Sequence, residues 1–219
     1  MKQPLYAVYG VNGCGRGVMP LAREQLQLLD VPLSRLMFVD DSPIGRTVND
    51  QQLLTYSEFI EVEASEHKVV IAIADSEVRE KLVERCAKDG IKFWSVTASN
   101  IVIMDDVQIG EGSILSPFVT LTSNIRIGQH FHANIYSYVE HDCIIGDYVT
   151  FAPGVKCNGN VIIESHAYIG AGAILRQGKP DDPLVIGHGA IVGMGAVVTQ
   201  NVPEGMTVVG NPAHPLNKP

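Results

Sequence analysis

I-G-Q-H-F-H-A-N-I-Y-S-Y-V-E-H-D-C-I-I-G-D-Y-V-T-F, residues 127–151, carries an apolar side chain at every sixth place: Ile127, Ala133, Val139, Ile145 and Phe151. The same register runs back through Leu121, Leu115 and Ile109 and forward through Cys157, Ile163, Ile169 and Leu175. With a hydrophobic fraction of 46%, twelve apolar residues at one fixed phase arise by chance roughly once in several thousand registers. Four places further on, the chain is again small or apolar throughout: Ser113, Val119, Ile125, Phe131, Ser137, Cys143, Val149, Val155, Val161, Ala167 and Ala173.

Helices repeat at three and four residues and ordinary strands at two, so neither yields six. A triangular prism of parallel strands does, with six residues to a face and 18 to a coil, the phase residue pointing inward on every face. The pair I-G at 109, 127, 145, 169 and 186 is expected to serve the corners. Between Leu175 and Ile186 eleven residues replace six, and the surplus around Lys179-Pro180-Asp181-Asp182-Pro183 reads as a loop thrown out of the prism. The phase resumes at Ile186, Val192 and Val198.

The first hundred residues have a different rhythm. Short apolar runs, L-Y-A-V-Y-G, L-M-F-V-D-D, K-V-V-I-A-I-A and I-K-F-W-S-V, alternate with helical segments over Val18 to Leu29 and Ser76 to Asp89. That is the pattern of a small parallel sheet covered by helices. The second helix is well marked, with Asp75 or Ser76 as N-cap, Gly90 past its end, and Val78, Leu82, Val83 and Cys86 on one face. Two domains are expected, a Rossmann-like α/β unit over 1–98 and a parallel β-helix over 99–219.

Sixteen basic against 24 acidic residues give a net charge of −8, so bulk field attracts no nucleic acid. No apolar run reaches about 18 residues, and no basic-then-apolar leader opens the chain, so membrane insertion is not expected and the cytoplasm is. Four scattered cysteines, Cys14, Cys86, Cys143 and Cys157, lack C-x-x-C spacing and read as free thiols.

Y-G-V-N-G-C-G-R-G, Tyr9 to Gly17, lies between a predicted strand and helix, where backbone N–H groups can cradle an anion. It is neither a dinucleotide fingerprint, since Val18 stands where the third glycine belongs, nor a P-loop, since Arg16-Gly17 replaces Lys-Ser. Asp40 and Asp41 end the second strand, where a carboxylate can accept from a ribose or a base. His141 occupies an outward corner of the prism, with Ser123 and Gly159 as its equivalents one coil away. An imidazole there can take a proton, and Asp142 beside it can fix the tautomer. Cys143 points inward, which argues against a thiol nucleophile.

The repeat over residues 101 to 213, closing on G-N-P-A at Gly210 to Ala213, resembles the left-handed hexapeptide-repeat acyltransferases. Y-G-V-N-G-C-G, F-V-D-D and V-E-H-D-C-I-I-G-D together narrow the likeness to the bacterial nucleotide-sugar acetyltransferases of the bacillosamine and sialic-acid O-acetylation type. That resemblance implies a homotrimer with active sites between subunits and acetyl-CoA as donor. It implies a UDP-linked 4-amino-sugar as acceptor, bound through Gly10, Asn12, Gly13, Cys14, Asp40 and Asp41. His141 is implied as general base with Asp142 orienting it, and Thr150, Gly159, Ala171 and Met194 as coenzyme contacts, with Arg176 and Lys179 near its phosphates.

Cys14 departs from the histidine usual at its place. Zinc is not expected, because His166 would need a histidine at 171, where alanine stands; the other histidines, His130, His132 and His188, read as scaffold. Competing readings are a sugar O-acetyltransferase, a non-catalytic trimeric binding module, and a sugar-1-phosphate nucleotidyltransferase, whose catalytic domain needs about twice the length available before the repeats.

Overall fold

A computed structural model describes residues 3–42 and 45–216. The chain forms two compact units, Met1–Ser99 and Asn100–Pro219.

In the first unit β1 (Leu5–Tyr9) is buried throughout and pairs on both sides. β2 (Leu36–Val39) lies parallel to one side of it, and β5 (His67–Ile71) lies parallel to the other. With α1 (Gly13–Leu28), β3 (Thr47–Val48), β4 (Gln51–Leu54), α2 (Tyr56–Glu61), α3 (Ser76–Lys88) and β6 (Lys92–Phe93), the sheet order is β3-β4-β2-β1-β5-β6. The strands diverge in connection on either side of β1, so the loop after β1 opens at the topological switch point of the sheet.

Helix α1 starts at Gly13, five residues before the sequence pattern indicates. Glycines normally weaken a helix, but Gly15 is required here: a Cβ on it would sit 1.8 Å from the Gly10 carbonyl oxygen. The β3-β4 hairpin and α2 are absent from the sequence reading. Their signals are local ones, Asn49 and Asp50 both left-handed in the hairpin turn, and a capping box between Thr55 and Glu58.

Asp75 caps α3 by accepting from Val78 N–H at 3.0 Å. The expected apolar face of α3 is corrected by one position, since Val78 is exposed and Arg79 is fully buried. The Arg79 guanidinium donates to the carbonyls of Ile73 (2.6 Å) and Ala74 (3.2 Å), satisfying the turn that leaves β5.

The second unit is a left-handed parallel β-helix with three faces. Strands on the first face include Ile114–Leu115, His132–Ala133, Thr150–Phe151, Tyr168–Ile169 and Ile191–Val192. The second face holds Val102–Ile103, Thr120–Leu121, Tyr138–Val139, Lys156–Cys157, Ile174–Leu175 and Val197–Val198. Val107–Ile109, Ile125–Ile127, Ile144–Ile145, Val161–Ile163 and Leu184–Ile186 make the third. Partners stand 18 residues apart, as in Ala133↔Phe151↔Ile169, so each coil pairs with the next. Every phase residue from Leu115 to Leu175 is buried, Ile109 in the first coils is half-buried, and the whole set packs as one core.

The I-G glycines do not supply the turns. Turning falls two residues later, where Asp106, Phe118, Asn124, His130, Tyr136, Asp142, Tyr148, Asn160 and His166 take φ of 52–65° and Gly112, Gly154 and Gly172 complete the series. The I-G positions stay small because the next coil lies against them: a Cβ on Gly128 would meet Asp147 N at 2.7 Å, and one on Gly146 would meet Ser165 N at 2.5 Å.

The thrown-out loop is a tight turn in which Lys179 and Asp182 exchange backbone hydrogen bonds at 2.9 and 3.1 Å. It leaves directly above Gly159, whose carbonyl accepts from Gly178 N–H at 2.9 Å. Past Val198 the period changes again, with Val192 paired to Val208 only 16 residues on, a coil two residues short.

Candidate active site

The edge between the second and third faces is layered as Ser123-Asn124, His141-Asp142 and Gly159-Asn160. Asp142 N–H donates to Ser123 O (3.1 Å) and Asn160 N–H to His141 O (3.0 Å). Because Asp142 is left-handed, at φ 57°, its side chain turns back on its neighbour, and Oδ2 lies 2.8 Å from His141 Nδ1. Asn124, one coil earlier, donates from Nδ2 to Asp142 Oδ1 at 3.2 Å. These hydrogen bonds, from His141 first and Asn124 second, hold the Asp142 carboxyl below its usual range.

With Nδ1 engaged, Nε2 has no hydrogen-bond partner among the described residues, and the side chain is 44% exposed. The ring lies against Gly159, where a Cβ would come within 2.6 Å of Cε1 and 2.7 Å of Nε2. A tautomer-fixed imidazole with one free nitrogen is an arrangement suited to proton abstraction. Cys143 is buried and points its Sγ at the Asn158 carbonyl, 3.3 Å away, which removes it from any nucleophilic role.

The four expected coenzyme residues do not gather in one place. Ala171 and Met194 stack on the edge between the first and second faces, linked by Gly195 N–H to Ala171 O at 2.8 Å, and Met194 is 82% exposed. Gly159 lies on the His141 edge, and Thr150 is largely buried on the first face. Arg176 donates to the carbonyls of Thr199 (2.6 Å) and Gln177 (2.9 Å), while Lys179 stays exposed on the loop.

The remaining histidines of the prism include a ladder along the edge between the third and first faces. His130, Tyr148, His166 and His188 follow one another at centroid spacings of 5.3, 5.0 and 5.2 Å. Among the described residues no group of three or more His, Cys, Asp or Glu is placed to hold a metal ion.

In the α/β unit, Gly10 has φ 104°, and its N–H donates to Val39 O at 2.8 Å. Asn12 precedes α1 without capping it by its side chain, and no acid occupies the first turn, so Asn12, Gly13 and Cys14 present an uncapped helix start, all three exposed.

Asp40 ties the loop to the sheet, accepting from Val11 N–H (3.0 Å) and Ser42 N–H (2.9 Å). Asp41 accepts from Tyr56 N–H (2.9 Å), Tyr9 Oη (3.2 Å) and Arg85 Nη1 (2.9 Å). Burial would raise the Asp41 carboxyl, but the Tyr56 amide and Arg85 outweigh it and hold the carboxyl low. Arg85 in turn lies over the Tyr56 ring, 3.9 Å from its centroid. Next to these groups is a pocket of about 400 Å³ lined in part by Asp40, Asp41, Ser42, Arg46, Leu53 and Glu58. Arg46, Tyr56 and Arg85 escaped the sequence reading because each acts through a partner distant in the chain; only the Thr55-Glu58 box was readable locally.

The family model for bacterial transferase hexapeptide repeats matches residues 124–159. The GDP-perosamine N-acetyltransferase of Escherichia coli O157:H7 is 46% identical over 185 residues, 84% of each chain. The structure of WeeI from Acinetobacter baumannii AYE is 58% identical, with a TM-score of 0.95 over 98% of this chain and all of that one. The acetyltransferase domain of PglB from Neisseria gonorrhoeae FA1090, solved in complex with acetyl coenzyme A, is 27% identical, with a TM-score of 0.86 over 99% of this chain and all of that one. A six-residue core period, an outward histidine–aspartate pair and a near full-length relative agree: the chain belongs to the hexapeptide-repeat acetyltransferase family.

Proposed function

We propose that this enzyme transfers acetyl from acetyl-CoA to the 4-amino group of a nucleotide-linked amino-sugar, in the making of a surface glycan, as a homotrimer with active sites between subunits. Transfer to nitrogen is favoured over the O-acetylation reading by the activity in the name of the 46% identical relative. UDP is the carrier implied by the sequence resemblance. GDP is the second reading, favoured by that same relative, and the pocket beside Asp40 is the proposed seat of the nucleotide base in either reading. The uncapped start of α1 at Asn12, Gly13 and Cys14 would face the diphosphate.

The observation that carries the mechanism is the His141–Asp142 pair over Gly159. His141 Nε2 takes a proton from the acceptor amine as the N–C bond forms and the C–S bond breaks, and returns it to the departing sulfur. Asp142 keeps Nδ1 protonated and offsets the charge that forms on the ring. Both substrates are held at once, with no acyl-enzyme. Thr150, Gly159, Ala171 and Met194 remain proposed coenzyme contacts, spread over two edges and one face.

The test is release of free thiol from acetyl-CoA in the presence of UDP- and GDP-linked 4-amino-sugars. Release with either supports the reading and names the nucleotide; release with neither overturns it. His141→Ala should lower kcat by roughly 10²–10⁴ with assembly intact, and retained activity would remove His141 as the base.

A further inference from the structure

The outer surface of the second face holds a pocket of about 290 Å³ that neither the histidine–aspartate pair nor the glycine loop uses. Phe118 and Tyr136 border it on one side, Tyr138 and Glu140 on the other, with Thr122 and Ser137 also lining it. Glu140 directly precedes His141, so the pocket runs up to the edge where the proposed base stands.

Three observations mark it as a ligand site. Phe118 and Tyr136 stack in parallel, centroids 4.8 Å apart and planes within 5°, yet they are 51% and 62% exposed. Both are left-handed, at φ 64° and 60°, in a column that continues with Gly154, Gly172 and Gly195, residues that adopt this conformation without strain. Glu140 is half-buried, and no hydrogen bond or ion pair engages its carboxylate among the described residues. Its charge, second to burial, pushes the Tyr138 phenol up, and Tyr138 Oη is fixed by donating to Asn158 Oδ1 at 2.9 Å.

We propose that this pocket receives the amino-sugar ring of the acceptor, with Glu140 taking the positively charged amine and the Phe118–Tyr136 edge an apolar C–H face. The proposal rests on the acetyl-transfer reading above. An unpaired carboxylate repels the phosphates of both substrates and attracts the one cationic group that the reaction brings. Aromatic faces add attraction for the same cation and for apolar ring carbons. A hydroxyl acceptor carries no such charge, so Glu140 selects nitrogen over oxygen. The bound ammonium sheds one proton to solvent, and the amine loses the second to His141 as the N–C bond forms.

Steady-state kinetics on the full chain with acetyl-CoA and the amino-sugar nucleotide that supports turnover provide the test. Glu140→Gln should raise KM for the sugar nucleotide by roughly tenfold or more while lowering kcat less than about threefold. It should also narrow the preference for the amino-sugar over its hydroxyl analogue. Phe118→Gly installs the residue that three later coils carry at this position, so the fold is kept; it should raise the same KM without changing the nitrogen-to-oxygen preference. If both variants leave that KM unmoved, if KM for acetyl-CoA moves in its place, or if either variant only disperses the oligomer, the proposal is overturned. A wild-type enzyme that acetylates no amino-sugar would instead overturn the acetyl-transfer reading on which the proposal rests.

Discussion

Substituting Gly159 by alanine tests the proposed catalytic edge with a single carbon atom. A Cβ at residue 159 would come within 2.6 Å of His141 Cε1 and 2.7 Å of Nε2, whereas ordinary contact begins at 3.4 Å. Gly159 is not among the left-handed residues, so alanine adds no backbone strain there. The imidazole is 44% exposed and can yield. It must retreat by about 1 Å, enough to misplace Nε2, and a misplacement of that size in a catalytic group costs roughly 10² in rate. Gly159→Ala is therefore expected to lower kcat about a hundredfold, with a melting temperature within a few degrees of wild type. The assay is thiol release at saturating substrates, alongside thermal unfolding. A kcat within about threefold of wild type would refute the reasoning, because the ring pose over Gly159 would then be irrelevant to proton transfer.

Asp142→Asn should leave the edge geometry intact but lose control of the tautomer, lowering kcat by roughly 10²–10⁴; the pH–rate profile of the variant distinguishes this from a folding defect. Gly15→Ala forces a Cβ to 1.8 Å from the Gly10 carbonyl oxygen, so helix and loop must separate. About 2–4 kcal/mol of stability should be lost in denaturant unfolding, along with affinity for the nucleotide, and a loss under about 0.5 kcal/mol would contradict the close packing described.

Glu58 is pulled down to about 2 from its ordinary 4.5 by the Thr55 amide and then by Arg46. A depressed folded-state value contributes stability that is complete above the unfolded pKa and lost as pH falls through the folded one. Glu58→Gln should thus flatten the pH dependence of unfolding between about 4.5 and 2, as followed by circular dichroism.

The β-helix was legible because its core repeats: one inward residue in six, buried from Leu115 to Leu175, needs no long-range knowledge. What the period did not disclose were the departures from it. The shortened final coil hides in a segment, Gln200 to Val208, where Val202 and Val208 carry the inward role at positions the phase of Ile186, Val192 and Val198 does not mark. The glycines after isoleucine look like turn residues in the sequence, yet they permit coils to stack, a distinction visible only when the neighbouring coil is in place. The contact between His141 and Asp142 is readable in the sequence because the two are adjacent. The support of Asn124 and Gly159, one coil to either side, follows from the 18-residue pairing. In the α/β unit the Asp41–Arg85–Tyr56 contacts join three separate elements, and no periodic signal precedes such a meeting.

The stacking of His141, Gly159 and the thrown-out loop on a single edge makes the prism a ruler with coarse graduations. Strands in neighbouring coils lie about 4.8 Å apart, so the base of that loop stands about 10 Å, two graduations, from the histidine. No point substitution in the core alters that separation, and removing or adding a coil alters it by a whole graduation. The reach between the proposed base and the loop is therefore inherited in discrete steps, and the finer tuning of what fits between them is left to the outward side chains of the edges and faces.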